Sequence, residues 1–192
     1  MRNFYYELPQ NYKEIKVIDA KDKKTIVLMN LASILLFVVA VVPFLIVKPA
    51  NIFDYDSNLV MNAMGVMLVS MIVYIVLHEL IHGFWYKIMT KEKLTFGLTL
   101  TVAFCGVPHI YVNKKTALLA ITGPFLLFSL ILIPTLILMP AGPYYFALVM
   151  LFGMHISGCS GDLYGTLYML SQKGDLLMND TGPKQSFYKL DK

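Results

Sequence analysis

Four apolar stretches, each about as long as a bilayer crossing, leave this chain few folds. They run over residues 25–47, 59–86, 116–139 and 143–170. A helix needs roughly 20 apolar residues to span the hydrocarbon core, and each stretch meets that length. Only Asn30, Ser33 and Pro43 interrupt the first stretch. Gly123, Pro124 and Pro134 mark the third, and Gly153, Gly158, Gly161 and Gly165 loosen the fourth. With 57% hydrophobic residues, 15% charged and a mean hydropathy of +0.64, the whole chain is too apolar for an ordinary soluble domain. The expected fold class is therefore an α-helical membrane protein with about four transmembrane helices, forming a single domain over residues 1–192.

The segments between these stretches set the expected topology. Residues 1–24 hold six Lys and Arg, 48–58 one, 87–115 five, 139–144 none and 171–192 four. Fifteen of the sixteen basic residues thus fall on one side, which the positive-inside rule makes cytoplasmic, with both termini there. The net charge of +4 is accounted for by this placement and not by an aromatic-interleaved nucleic-acid surface. Residues 1–24 lack the apolar core of a secretory signal, and Cys105 and Cys159 are too few and too isolated for a disulfide framework. From Leu94 to Phe104, large apolar residues alternate with Thr95, Gly97, Thr99, Thr101 and Ala103. That period of two predicts a β-strand, with His109 to Val112 as its return in a hairpin over 94–112. Strands cannot lie open to lipid, so the hairpin is expected on protein or at the interface.

Within the apolar stretches the ionisable residues are few: His78, Glu79, His82, His155 and Asp162. Such groups cost about 2.5–3.5 kcal/mol or more when they face lipid, so they mark bundle interiors and function. His78 and His82 lie four apart, on one helical face, a spacing at which two imidazoles can share one Zn²⁺. The beginnings of stretches two and four, Leu59 and Pro143, lie 19 residues before His78 and Asp162 respectively. At 1.5 Å per residue both fall about 28 Å from the outer face. Asp162 is therefore the expected third ligand, and a water fills the fourth position. His155, about 10 Å further out, is the poorer candidate and is expected as a packed, hydrogen-bonded histidine. Cys159 is expected to be a small buried residue. In this arrangement Glu79 accepts a proton from the zinc-bound water and passes it to the leaving amine, giving amide hydrolysis. Two other readings use the same residues: a transporter or proton/metal relay, and a non-catalytic zinc-stabilised scaffold.

His78-Glu79-Leu80-Ile81-His82-Gly83 in a membrane helix is followed by a hairpin, then Thr122-Gly123-Pro124, then Gly161-Asp162. This order resembles the site-2-protease type of intramembrane zinc metalloprotease. It is more similar to a bacterial domain-of-unknown-function family labelled as zincin peptidases. The resemblance covers about residues 60–170. It implies zinc at His78, His82 and Asp162, catalysis by Glu79, and a membrane-protein or peptide substrate taken within the lipid bilayer. The chain departs from the site-2 pattern in having Leu127 three residues after the Gly-Pro proline. The setting of its aspartate, Ser160-Gly161-Asp162-Leu163, also differs.

Overall fold

The structure is a computed structural model that describes residues 2–98 and 103–191. In chain order its elements are strands β1 (Phe4–Tyr5) and β2 (Tyr12–Asp19), then helix α1 (Lys23–Val47) and, after a single 3-10 turn, helix α2 (Ser57–Thr90). Next come β3 (Thr95–Leu98), β4 (Ala103–Gly106), β5 (Tyr111–Asn113) and helix α3 (Lys114–Leu138). Helices α4 (Pro143–Gly158) and α5 (Ser160–Ser171) and strands β6 (Leu176–Asp180) and β7 (Lys184–Leu190) complete the chain. Helices α1, α2 and α3 are long and apolar enough to cross a membrane. A fourth span results if α4 and α5 count as one broken crossing. Their apolar side chains remain largely outward: Leu31, Ile34 and Leu35 on α1 are each more than 60% exposed. A surface of that kind belongs in lipid.

Side-chain caps start α1, α2 and α3; ahead of α2, Asp56 accepts from the Asn58 and Leu59 amides at 2.9 and 3.4 Å. Asp22 accepts from the Thr25 amide at 2.9 Å ahead of α1, and Asn113 accepts from the Thr116 amide at 2.8 Å at the start of α3. Each satisfies an amide that has no partner inside its helix. The fourth apolar stretch differs from the expected single helix. It breaks at Cys159, and α4 and α5 meet at a 45° bend. The cause is local: Ser157, Gly158, Ser160 and Gly161 surround the break, a composition that favours kinks. The Ser157 carbonyl at the break accepts from Ser33 Oγ at 3.0 Å.

The hairpin is also placed differently from the expectation. β3 pairs with β4, Thr95 opposite Gly106 and Leu98 opposite Ala103, so the return strand lies at 103–106. Of the expected return, His109 to Val112, only Tyr111 and Val112 are strand, and they belong to β5 in another sheet, while residues 99–102 of the expected hairpin lie outside the described residues. Alternation alone could not separate one long strand from two short ones. Phe104 turns to the face of Gly97, where any Cβ would run into its ring. The terminal segments, which carry no comparable alternation, join β5 in a five-stranded antiparallel sheet in the order β1-β5-β6-β7-β2.

Two compact units divide the chain. The first comprises Met1–Leu28, Leu77–Pro124 and Gly161–Lys192 and holds both sheets. Its core packs Tyr86 of α2, Ala117, Ala120 and Ile121 of α3, and Met169 of α5 with Val112, Met178 and Phe187 of the large sheet. The second comprises Met29–Val76 and Phe125–Ser160, with a core of Val41, Leu136, Tyr145, Val149 and Phe152. In it Lys48, the lone base of its loop, donates to the Met139 and Ile137 carbonyls at 2.8 and 3.0 Å, covering the end of α3.

Candidate metal centre

α2 is helical throughout the histidine motif, so the four-residue spacing sets His78 and His82 one above the other. Both are buried, 8% and 7% exposed. Their Nε2 atoms lie 3.1 Å apart. Asp162, in the first turn of α5, places Oδ2 at 3.3 Å from His78 Nε2 and 3.4 Å from His82 Nε2. The three atoms form a nearly equilateral triangle. Tetrahedral zinc with bonds of about 2.0–2.1 Å has ligand atoms about 3.3–3.4 Å apart, so this triangle has the size of one face of such a tetrahedron. The chemistry agrees with the distances. Three atoms that can each act as a metal ligand converge where a proton can bridge only two of them, and a divalent cation can engage all three.

His82 is oriented from behind. Its Nδ1 lies 2.9 Å from the Ala120 carbonyl of α3. A carbonyl only accepts, so Nδ1 carries a hydrogen and Nε2 is the ring nitrogen that faces the triangle. A Cβ on Gly123 would strike the Trp85 indole, so glycine there lets α3 approach α2 at this level. One carboxylate oxygen of Glu79 lies within 4.8 Å of a ring nitrogen of each histidine. The backbone amide of Cys105, in β4, lies against the same carboxylate. Gly83 admits the hairpin beside the motif, since a Cβ there would come 3.0 Å from Leu94 and 3.2 Å from Cys105 Sγ.

The other histidines lie elsewhere. His155 is fully buried in the second unit, where Tyr74 Oη meets Nδ1 and Ser129 Oγ meets Nε2, both at 3.0 Å. Phe125, Phe128 and Phe152 surround its ring. His109 pairs with Glu92 at 3.4 Å, and Glu92 also accepts from the Tyr6 hydroxyl at 2.6 Å.

Sequence reasoning missed Asp180, which lies in what looked like a polar tail. It is buried on β6, accepting from the Tyr86 hydroxyl at 2.6 Å and the Gly182 amide at 2.8 Å. Its own carbonyl accepts from the Val107 amide at 2.8 Å. One residue thus ties α2, one turn beyond His82, to the segment that follows β4. Burial pushes the Asp180 carboxyl up to about 6, while the Tyr86 and Gly182 hydrogen bonds pull the other way. The neighbouring Cys105 thiol is pushed up to about 12, also by burial. With its pKa above the unfolded value of 3.8, Asp180 favours the fold fully below about pH 4. That contribution is lost as pH rises through about 6. The thermal midpoint of the wild type in detergent, taken relative to Asp180→Asn, is expected to fall between about pH 4 and 6.5 and to level off above that. A constant offset between the two proteins would refute this.

The fold is mostly helical, with three or four helices long and apolar enough to cross a membrane, and it carries a candidate metal centre. Residues 71–177 match the family described as "Putative zincin peptidase", and the chain belongs to that family. The matched segment contains His78, Glu79, His82, Ala120 and Asp162 but not the outer strands β1, β2 and β7. No curated protein and no solved structure shows a significant match.

Proposed function

We propose that this protein is a zinc-dependent, membrane-embedded metallopeptidase that hydrolyses peptide bonds of membrane-associated protein substrates. The observation that carries the reading is the triangle of His78 Nε2, His82 Nε2 and Asp162 Oδ2 with Glu79 beside it. His78, His82 and Asp162 would hold the metal, and three protein ligands would leave the open position that a catalytic site needs. Zinc bound there supplies Lewis acidity, polarising a carbonyl and bringing the pKa of water toward about 7. Glu79 takes a proton from the attacking water and delivers it to the departing amine, while the Cys105 amide steadies its carboxylate. The basic segments lie on the cytoplasmic side, which puts the motif near that face. The order of motifs supports a relation to site-2-type intramembrane proteases.

The test is zinc per chain after chelator-free purification in detergent. About one zinc is expected, together with hydrolysis of labelled casein that 1,10-phenanthroline stops and added zinc restores. Wild type without stoichiometric zinc, or zinc-loaded protein without hydrolysis, overturns the reading.

Substrate is held in this reading by strand addition to β4, whose only ladder partner among the described residues is β3. The Cys105 amide is turned toward Glu79, so this edge of β4 borders the site. Ala103 shares that orientation by the period of two. Ala103→Pro is therefore expected to lower casein cleavage about tenfold, the loss of one hydrogen bond of about 1.4 kcal/mol, with zinc content unchanged. Unaltered cleavage would exclude this edge.

A further inference from the structure

In an α-helix each carbonyl accepts from the amide four residues ahead, and proline at that position supplies no amide. α3 runs unbroken from Lys114 to Leu138, so the carbonyl that residue 124 would engage is that of Ala120. Residue 124 is proline. The Ala120 carbonyl accepts instead from His82 Nδ1, at 2.9 Å. Two other prolines in the long helices, Pro43 and Pro134, relieve the carbonyls of Val39 and Leu130, which sit at outward positions 60% and 73% exposed. Ala120 is fully buried, and its carbonyl meets an imidazole. Gly123, immediately before the proline, provides the close approach to α2 at Trp85 that brings the two groups within reach.

We infer that Pro124 is a positioning residue for the metal centre: by withholding an amide from α3 it leaves the Ala120 carbonyl to hold His82. The consequence is chemical as well as geometric. Holding a hydrogen on Nδ1 keeps Nε2 the nitrogen directed at His78 and Asp162, so that it is the one free to bind a metal once the ring is neutral. Hydrogen bonds of this kind behind a ligand histidine typically change metal affinity 10–100-fold. The Gly-Pro pair at 123–124 is thus a ligand-supporting device rather than a simple kink. This inference rests on the metal reading given above.

Pro124→Ala separates it from a structural role. Alanine restores the amide and favours the helix, so the chain is expected to unfold at the same temperature or higher. Its zinc affinity, measured by competition with a fluorescent chelator, is expected to fall at least about tenfold. Pro134→Ala, the control, is expected to bind zinc like wild type. Long-range proton–nitrogen NMR on zinc-free, ¹⁵N-histidine-labelled protein supplies a readout without metal. Recorded at a pH high enough to leave the ring neutral, wild type is expected to show His82 as the Nδ1–H form, and Pro124→Ala a mixture. Unchanged zinc affinity and unchanged tautomer in Pro124→Ala overturn the inference, as does an affinity loss matched by Pro134→Ala. If wild type binds no zinc, the metal reading fails, and the tautomer comparison still decides the Pro124 link.

Discussion

Glu79→Gln is expected to retain its zinc and to lose casein hydrolysis by about three orders of magnitude, the middle of the range that a positioned acid–base group contributes. The substitution keeps the shape of the side chain and leaves an oxygen for the Cys105 amide, so the packing of α2 against β4 is preserved. What it removes is the capacity to take up a proton beside the two histidines. The metal should stay because the triangle is built from His78, His82 and Asp162 without Glu79. Zinc by mass spectrometry and turnover on the same preparation separate the possibilities. Retained zinc with retained cleavage removes Glu79 from catalysis. Loss of both makes Glu79 a ligand and reassigns the site.

What the sequence carried and what it withheld follow from the range of each interaction. His78 and His82 were legible because their relation is one helical turn, a distance that local geometry fixes. Asp162 could be matched to them by counting from Leu59 and Pro143. Its count crosses the break at Cys159, which the glycines announced only as looseness. The sheet was not legible, because its register joins Phe4 to Val112 and Tyr12 to Leu190 across the length of the chain. No alternation in Leu176–Asp180 pointed to it. Asp180 was hidden for the same reason, its partner Tyr86 being 94 residues away. The Gly-Pro pair was visible as a motif, but its meaning needed the position of His82 behind the Ala120 carbonyl.

The choice between Asp162 and His155 as third ligand yields the other large effect. Asp162→Asn is expected to weaken zinc binding more than a hundredfold, beyond the 10–100-fold range of groups that merely support ligands. The two histidines are neutral when they bind a metal, so Asp162 is the charged member of the triangle. Removing that charge leaves an unneutralised dication at two side chains less than a tenth exposed, where burial of charge is most costly. The N-terminal end of α5 favours a carboxylate at this position, which Asn forfeits. His155→Gln, by contrast, is expected to keep full zinc occupancy while lowering the thermal midpoint. Both ring nitrogens of His155 already meet hydroxyls, Tyr74 on one side and Ser129 on the other. A buried polar group that loses one of two such partners costs about 1–3 kcal/mol. Chelator competition and thermal unfolding of the two variants decide the matter: zinc lost with His155→Gln and kept with Asp162→Asn would exchange their roles.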